Sequence, residues 1–365
     1  MIRIPRIAAA AIVALALVLV ASATTSSASA PAPAGFVGMV AQDVFAGSSS
    51  YQSKQLTAMR AAGVTIVRQV FDWSIIERRL GRFDFSAYDG AVLAAARHGI
   101  EIMPILFNPP ASLSARPRHN HTHGTYPPKS LTSIAAFAQA AVRWFGPGGS
   151  FWKAHKSVTA LPIRVWQIWD EPNLSVYWLP RPSATQYVAL LASAARAIHA
   201  VDPGAEVVSG GIPQSNLPGI SLITYLKALL AAGAAHAINT LGVNAYSRTA
   251  AGMITILREV RATLNAGGAS GVAIRVTEFG WSDAGPPDTF KLGPTGQATQ
   301  ISAVIHDFGA DASALDLKGF VYYDWRDARP YAGAPDFWGL HTGLLKLDGK
   351  PKPALAAFSA AANAL

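Results

Sequence analysis

Cysteine is absent from all 365 residues, which removes disulfides, thiolate metal sites and a cysteine nucleophile from the account. Charge is also scarce. Only 14% of residues are charged against 51% hydrophobic, and no block of like charge occurs. Such a composition excludes a disordered chain and describes a protein with a large core, which a chain of this length can build without covalent staples. The net charge of +9 raises the question of a nucleic-acid partner. No basic stripe with interleaved aromatics and no groove-reading motif accompanies it, so the excess reads as scattered surface charge. No nucleic-acid partner is expected; association with a cell surface or an acidic polysaccharide is compatible with the sign of the charge.

Long apolar runs are missing as well. The apolar stretch 7–20 is shorter than the ~20 residues a membrane helix needs. It follows a short basic segment with Arg3 and Arg6 and precedes a small, polar segment, 21–34. This is the three-part pattern of a secretory signal. Ala28-Ser29-Ala30 and Ala21-Ser22-Ala23 both suit cleavage, and Pro31 disfavours the first, so the cut is left open. The expectation is a signal peptide over 1–30 and an exported, extracellular domain over 31–365, with a retained membrane anchor as the alternative.

From residue 35 onward, short apolar runs alternate with Ala-rich stretches of helical spacing. The runs are 35–40, 64–70, 100–107, 163–169, 205–211, 241–246, 272–277 and 319–323. Between them, segments such as 86–98, 131–145, 184–200 and 220–233 place large apolar side chains three and four apart. Gly63 and Gly99 stand just before runs two and three, where a chain leaving a helix turns left-handed. Eight strand–helix units argue a parallel sheet closed into a single-domain (β/α)8 barrel, with function at the carboxyl ends of the strands. A doubly wound open sheet is the alternative. It would call for a Gly-rich phosphate turn after the first strand, and Gln42-Asp43-Val44-Phe45 is not one.

Glutamate is rare enough to examine residue by residue: Glu77, Glu101, Glu171, Glu206, Glu259 and Glu278 are all there are. Glu101 and Glu206 fall at strand starts, on the face that stabilises such barrels. Glu259 lies in a helical stretch, and Glu77 comes a turn beyond the second run, beside Arg78 and Arg79. Only Glu171 and Glu278 stand at strand carboxyl ends, the fourth and the seventh. Those strands face each other across a closed barrel. Two carboxyls so placed suit retaining glycoside hydrolysis, in which one attacks the anomeric carbon and the other protonates the leaving oxygen.

The flanking residues carry a resemblance. Trp166-Gln167-Ile168-Trp169-Asp170-Glu171-Pro172-Asn173 resembles the fourth-strand motif of clan A glycoside hydrolases. Val276-Thr277-Glu278-Phe279-Gly280-Trp281 looks like that clan's nucleophile motif. Tyr323-Asp324-Trp325, Trp338-Gly339-Leu340 and Gly349-Lys350-Pro351-Lys352-Pro353 are similar to its eighth strand and closing segment. The nearest subgroup resembles family 39 and cellulase-like hydrolases. This likeness implies a carbohydrate substrate, Glu171 as acid/base and Glu278 as nucleophile, with no cofactor and no metal. It further implies that Arg68 supports the nucleophile, Tyr246 hydrogen-bonds it, and Trp325 forms a platform beneath the sugar. Trp178 and Trp281 are further candidates to line the cleft.

Two positions depart from the clan's pattern. Asp170 stands where the clan usually has Asn, which donates to a sugar hydroxyl, whereas an ionised Asp can only accept. Asn244 stands where relatives often carry His. Both bear on substrate preference and leave the glutamates intact. His119, His121 and His123 form a cluster that invites a metal reading, but no carboxylate lies nearby in the sequence. A loop bordering the cleft is the expected role. A catalytically silent carbohydrate-binding barrel and a transglycosylase using the same residues are the alternatives to hydrolysis.

Overall fold

The computed structural model describes residues 33–365 apart from 121 and 331–333. The expected signal peptide and His121 lie outside the described residues.

Strand formation follows the apolar runs. The first half comprises β1 (Val37–Val40), β2 (Ile66–Asp72), β3 (Glu101–Phe107), β4 (Val165–Ile168) and β5 (Glu206–Ser209). The second comprises β6 (Ile212–Pro213), β7 (Thr240–Asn244), β8 (Ala273–Phe279) and β9 (Leu317–Tyr322). Every pairing between them is parallel. The first strand pairs with both β2 and β9, and β5 reaches β7, so the sheet closes. The result is an eight-staved (β/α)8 barrel whose fifth stave is split into β5 and β6 around Gly210 and Gly211. The open doubly wound alternative is thereby excluded.

Around the barrel lie α1 (Ser49–Ala61), α2 (Trp73–Ile76), α3 (Ser86–Arg97), α4 (Leu131–Phe145) and α5 (Ser150–Ala154). They are followed by α6 (Ala184–His199), α7 (Leu222–Ala231), α8 (Ala250–Ala266), α9 (Gly293–Leu315) and α10 (Pro353–Ala362). The physical basis is plain in α4. Ser130 caps it by accepting from the Thr132 amide, and Ile134, Phe137, Ala138, Ala141, Val142 and Phe145 make one buried stripe before Gly146 ends it. Gly63 and Gly99 follow α1 and α3 with φ of +91° and +63°, the left-handed exits their sequence positions imply. Among the described residues, no helix is long and apolar enough to cross a membrane.

Two apolar regions result from strand alternation. Outward residues such as Trp166 and Ile168 join the large core between sheet and helices. Inward residues Val40, Ile66, Met103, Val165, Val208 and Val321 form a small separate plug inside the barrel. Below that plug, Arg275 holds Glu206 through two hydrogen bonds of 3.2 and 3.0 Å and donates to the Gly35 carbonyl at 2.8 Å. Burial raises the pKa of Glu101 there, Arg275 opposes the rise and Glu206 adds to it. This charged floor is structural. An open concavity of about 680 Å³ also lies at this end, but its Asp316 pairs with Lys318 at 3.0 Å and its Glu206 with Arg275.

Candidate active site

The side-chain period of two carries the chain from plug to site. On β2, Ile66 points into the plug and Arg68 lies one layer above; on β4, Val165 and Gln167 repeat the pattern. Arg68 is buried, with 2% of its side chain exposed, and its planar fork meets three acceptors. Nε donates to Gln167 Oε1 at 2.8 Å, Nη2 to Asp170 Oδ1 at 2.7 Å, and Nη1 to Glu278 Oε1. Gln167 completes the frame by donating to the Trp169 carbonyl at 3.0 Å and to Asp170 Oδ1 at 3.3 Å.

Beyond β4 the backbone turns sharply. Trp169 and Glu171 adopt φ of +72° and +39°, a region side-chain-bearing residues rarely enter. The Trp169 indole is thereby sent outward against Phe107 and Trp178, while Asp170 and Glu171 turn to the mouth. On the opposite side, a register shift in the β7–β8 pairing sets Glu278 beside Asn244. Asn244 is fully buried and donates to Glu171 Oε1 at 2.8 Å, while its own oxygen accepts from Thr277 at 2.8 Å. Tyr246 donates to Glu278 Oε2 at 2.9 Å. Gly211, in the split stave, lies so close that a Cβ there would overlap both Asn244 Oδ1 and Thr277 Oγ1.

The structure therefore brings together six of the seven residues singled out in the sequence: Arg68, Asp170, Glu171, Asn244, Tyr246 and Glu278. Trp325 is the correction. It is fully buried, and its indole donates at 2.8 Å to Gln55 on α1, so it offers no face to a sugar. Continued alternation from Val321 and Tyr323 would have turned Trp325 inward; the strand ends at Tyr322, and beyond it the chain leaves the strand path and Trp325 joins the core behind the sheet. Trp178 and Trp281 are likewise buried; Trp281 donates to the Ser247 carbonyl at 2.8 Å, and Trp178 packs on Trp169 and Tyr187. Glu77 accepts from the Trp73 indole and the Gly81 amide, both at 2.6 Å, rather than from an arginine.

Residues unforeseen in the sequence complete the mouth. Trp338 is half-buried, 5.3 Å from Tyr246 and 4.6 Å from Phe290 between ring centroids, and forms an aromatic wall on the Glu278 side. Tyr177 stands on the Glu171 side, its ring 6.1 Å from Phe107. Gln167 was legible as an inward polar position on a barrel strand; the loop-borne aromatics carried no periodic signal.

Charge decides how the carboxyls divide. Three of them, Asp170, Glu171 and Glu278, share one guanidinium. Burial pushes Asp170 up to about 6 despite Arg68, with Glu278 adding to the rise. Glu171 is pushed well above the usual carboxylate range by burial, then by the charges of Asp170 and Glu278; the Asn244 hydrogen bond and Arg68 only partly offset this. Glu171 has no direct cationic partner in the described residues, so it is where a proton stays. The arrangement sets a carboxyl pressed toward its protonated form across the mouth from one that accepts from Arg68 and Tyr246, an asymmetry compatible with acid-assisted displacement at an acetal carbon.

The sequence matches no family model and no curated protein. Among solved structures the chain is similar to a glucosidase from Croceicoccus marinus, with TM-score 0.60 and 21% identity over 84% of this chain and 62% of that one. It is similar to the GH53 catalytic domain of Ignisphaera aggregans, with TM-score 0.55 and 18% identity over 83% of this chain and 87% of that one. A family 51 α-L-arabinofuranosidase from Bifidobacterium longum gives TM-score 0.60 and 14% identity over 90% of this chain and 72% of that one. The chain thus spans under two thirds of the glucosidase's length. At these identities, what is shared is the barrel fold.

Proposed function

We propose that this chain is a retaining glycoside hydrolase with Glu278 as nucleophile and Glu171 as acid/base. The observation that carries the reading is the unequal environment of two carboxyls at one barrel mouth. Arg68 and Tyr246 donate to both oxygens of Glu278, whereas Glu171 is pressed toward its protonated form by burial and by its anionic neighbours. Glu171 would protonate the departing oxygen as Glu278 bonds to the anomeric carbon, then take a proton from the water that displaces Glu278. The likeness in fold to glycosidases supports a carbohydrate substrate. Within clan A, the subgroup we propose as nearest is family 39 with its cellulase-like relatives. No step calls for a metal or organic cofactor, and chelator treatment is expected to leave the rate unchanged.

Azide separates the two roles. In a screen of aryl glycosides, Glu278→Gly should lose turnover and regain it with azide, giving the inverted glycosyl azide. Glu171→Ala with azide should give the retained azide, because the glycosyl-enzyme still forms. Near-normal rates in both variants, or an initially inverted product in the wild type, would overturn the assignment. We further infer that the protein is exported and that its mature form begins between residues 24 and 35, which amino-terminal sequencing of secreted material tests. Intact Met1 on membrane-bound protein would refute it.

A further inference from the structure

The segment after Glu171 is more constructed than a connecting loop requires. The Leu174 amide returns to the Glu171 carbonyl at 2.9 Å, and the Tyr177 amide to that of Leu174 at 3.1 Å, so two successive turns fold the chain back over the strand end. The Trp169 indole pins the Tyr177 carbonyl at 2.8 Å. On one flank Val176 accepts from the Thr125 amide at 2.8 Å; on the other, the Ser175 amide donates to Pro218 at 2.8 Å. The loops after β3 and β6 therefore hold this segment from both sides.

What it presents is Tyr177. The ring is half-buried against Phe107, itself half-buried, and the hydroxyl makes no hydrogen bond among the described residues. The Tyr246 hydroxyl, by contrast, is committed to Glu278 at 2.9 Å. Burial raises the Tyr177 hydroxyl strongly, and the charges of Glu171, Asp170 and Glu278 follow in that order. Hence the phenol stands within electrostatic reach of the acid/base and remains a donor through the neutral range.

Resting on the glycosidase reading above, we propose that Tyr177 determines specificity on the leaving-group side. Its hydroxyl donates to a hydroxyl of the departing sugar, and its ring, backed by Phe107, supports that sugar's apolar face. Position argues for this side: Tyr177 extends from the acid/base strand, whereas Trp338 and Phe290 gather around Tyr246 at the nucleophile.

Tyr177→Phe tests it, because the ring and its packing stay. The probes are a disaccharide and the glycosyl fluoride of whichever sugar the wild type hydrolyses fastest in the aryl-glycoside screen. The disaccharide's kcat/KM should fall roughly three- to ten-fold, the worth of one neutral hydrogen bond, while the fluoride's stays within about two-fold. With the fluoride as donor and the same sugar as acceptor, the ratio of transfer to hydrolysis should fall alongside, since the acceptor occupies the leaving side. An equal loss on the fluoride would place the hydroxyl at the reacting centre and overturn the proposal, as would an unchanged disaccharide rate. A wild type that hydrolyses nothing in the screen defeats the glycosidase reading itself, before Tyr177 is reached. An unchanged thermal transition shows that the variant folds.

Discussion

Replacing Asp170 by Asn removes one anion from a mouth where three carboxyls share Arg68 and leaves the shape nearly intact. Asp170 is the second-largest cause, after burial, of the raised pKa of Glu171. Two unit charges about 6 Å apart interact by roughly 1.4–2.8 kcal/mol at an effective dielectric of ~20–40, or about one to two pKa units. Neutralising Asp170 also leaves Arg68 less compensated, and the cation's influence lowers Glu171 further. Both effects have the same sign. A general acid must be protonated in the free enzyme, so the alkaline limb of kcat/KM follows its pKa. That limb should move to lower pH by about one unit or more in Asp170→Asn. The assay is a pH–rate profile on an aryl glycoside with a poor leaving group, where proton donation limits the rate. A leaving group that departs unaided should show little of the shift. An unmoved alkaline limb would refute the argument that Asp170 holds the proton on Glu171. Loss of turnover with substrate binding retained would give the ionised Asp170 a direct catalytic task.

Two further predictions test the supports of the site. Gly211→Ala should force Asn244 and Thr277 to move, costing about 1–3 kcal/mol in unfolding free energy by overpacking. Because Asn244 orients Glu171, its rate loss should be larger for poor leaving groups than for dinitrophenolate; equal losses would show that the shift does not reach the acid. Lys352 is fully buried and donates to Asp283 at 2.6 Å, Asp327 at 2.7 Å and the His341 carbonyl at 3.1 Å, joining the loops after β8 and β9. Lys352→Met should lower stability by about 3–5 kcal/mol in chemical denaturation at neutral pH, since two carboxylates lose their cation. The loss should shrink as pH falls through the titration of Asp327, whose carboxyl burial already raises above its ordinary value against the pull of Lys352; a pH-independent loss would assign the effect to packing alone.

What the sequence disclosed is what repeats along it. Barrel strands alternate inward and outward, so the apolar runs located all eight staves, and the helix before Gly99 ended within one residue of expectation. The same alternation puts Arg68 above Ile66 and Gln167 above Val165, so the buried frame of the site follows from the period that builds the plug. The split of the fifth stave had no such signal. Its Gly210-Gly211 pair is intelligible only once Asn244 and Thr277 are seen packed against the Gly211 backbone.

Past the last residue of a strand, the alternation stops carrying information, and the misplacement of Trp325 shows the cost. Glu171 lies three residues beyond β4, and the positive φ at Trp169 and at Glu171 itself determines that it and Asp170 both face the mouth. A continued strand would have sent one of them outward. Trp325 lies three residues beyond β9 and goes the other way, into the core to meet Gln55. The two cases have the same spacing and opposite outcomes, so distance from the strand end cannot assign a side chain to the cleft. What separates them is what each residue finds to satisfy it. Glu171 finds one direct hydrogen-bond partner for its carboxyl among the described residues, Asn244, while the Trp325 indole finds an acceptor and a fully buried place. Tyr177, six residues past Glu171, falls on the side of Glu171 by the same criterion, for its hydroxyl has no partner among the described residues. Glu171 and Tyr177 thus share partial exposure and hydrogen-bonding capacity left open at the mouth, both of which the fully buried Trp325 has given up.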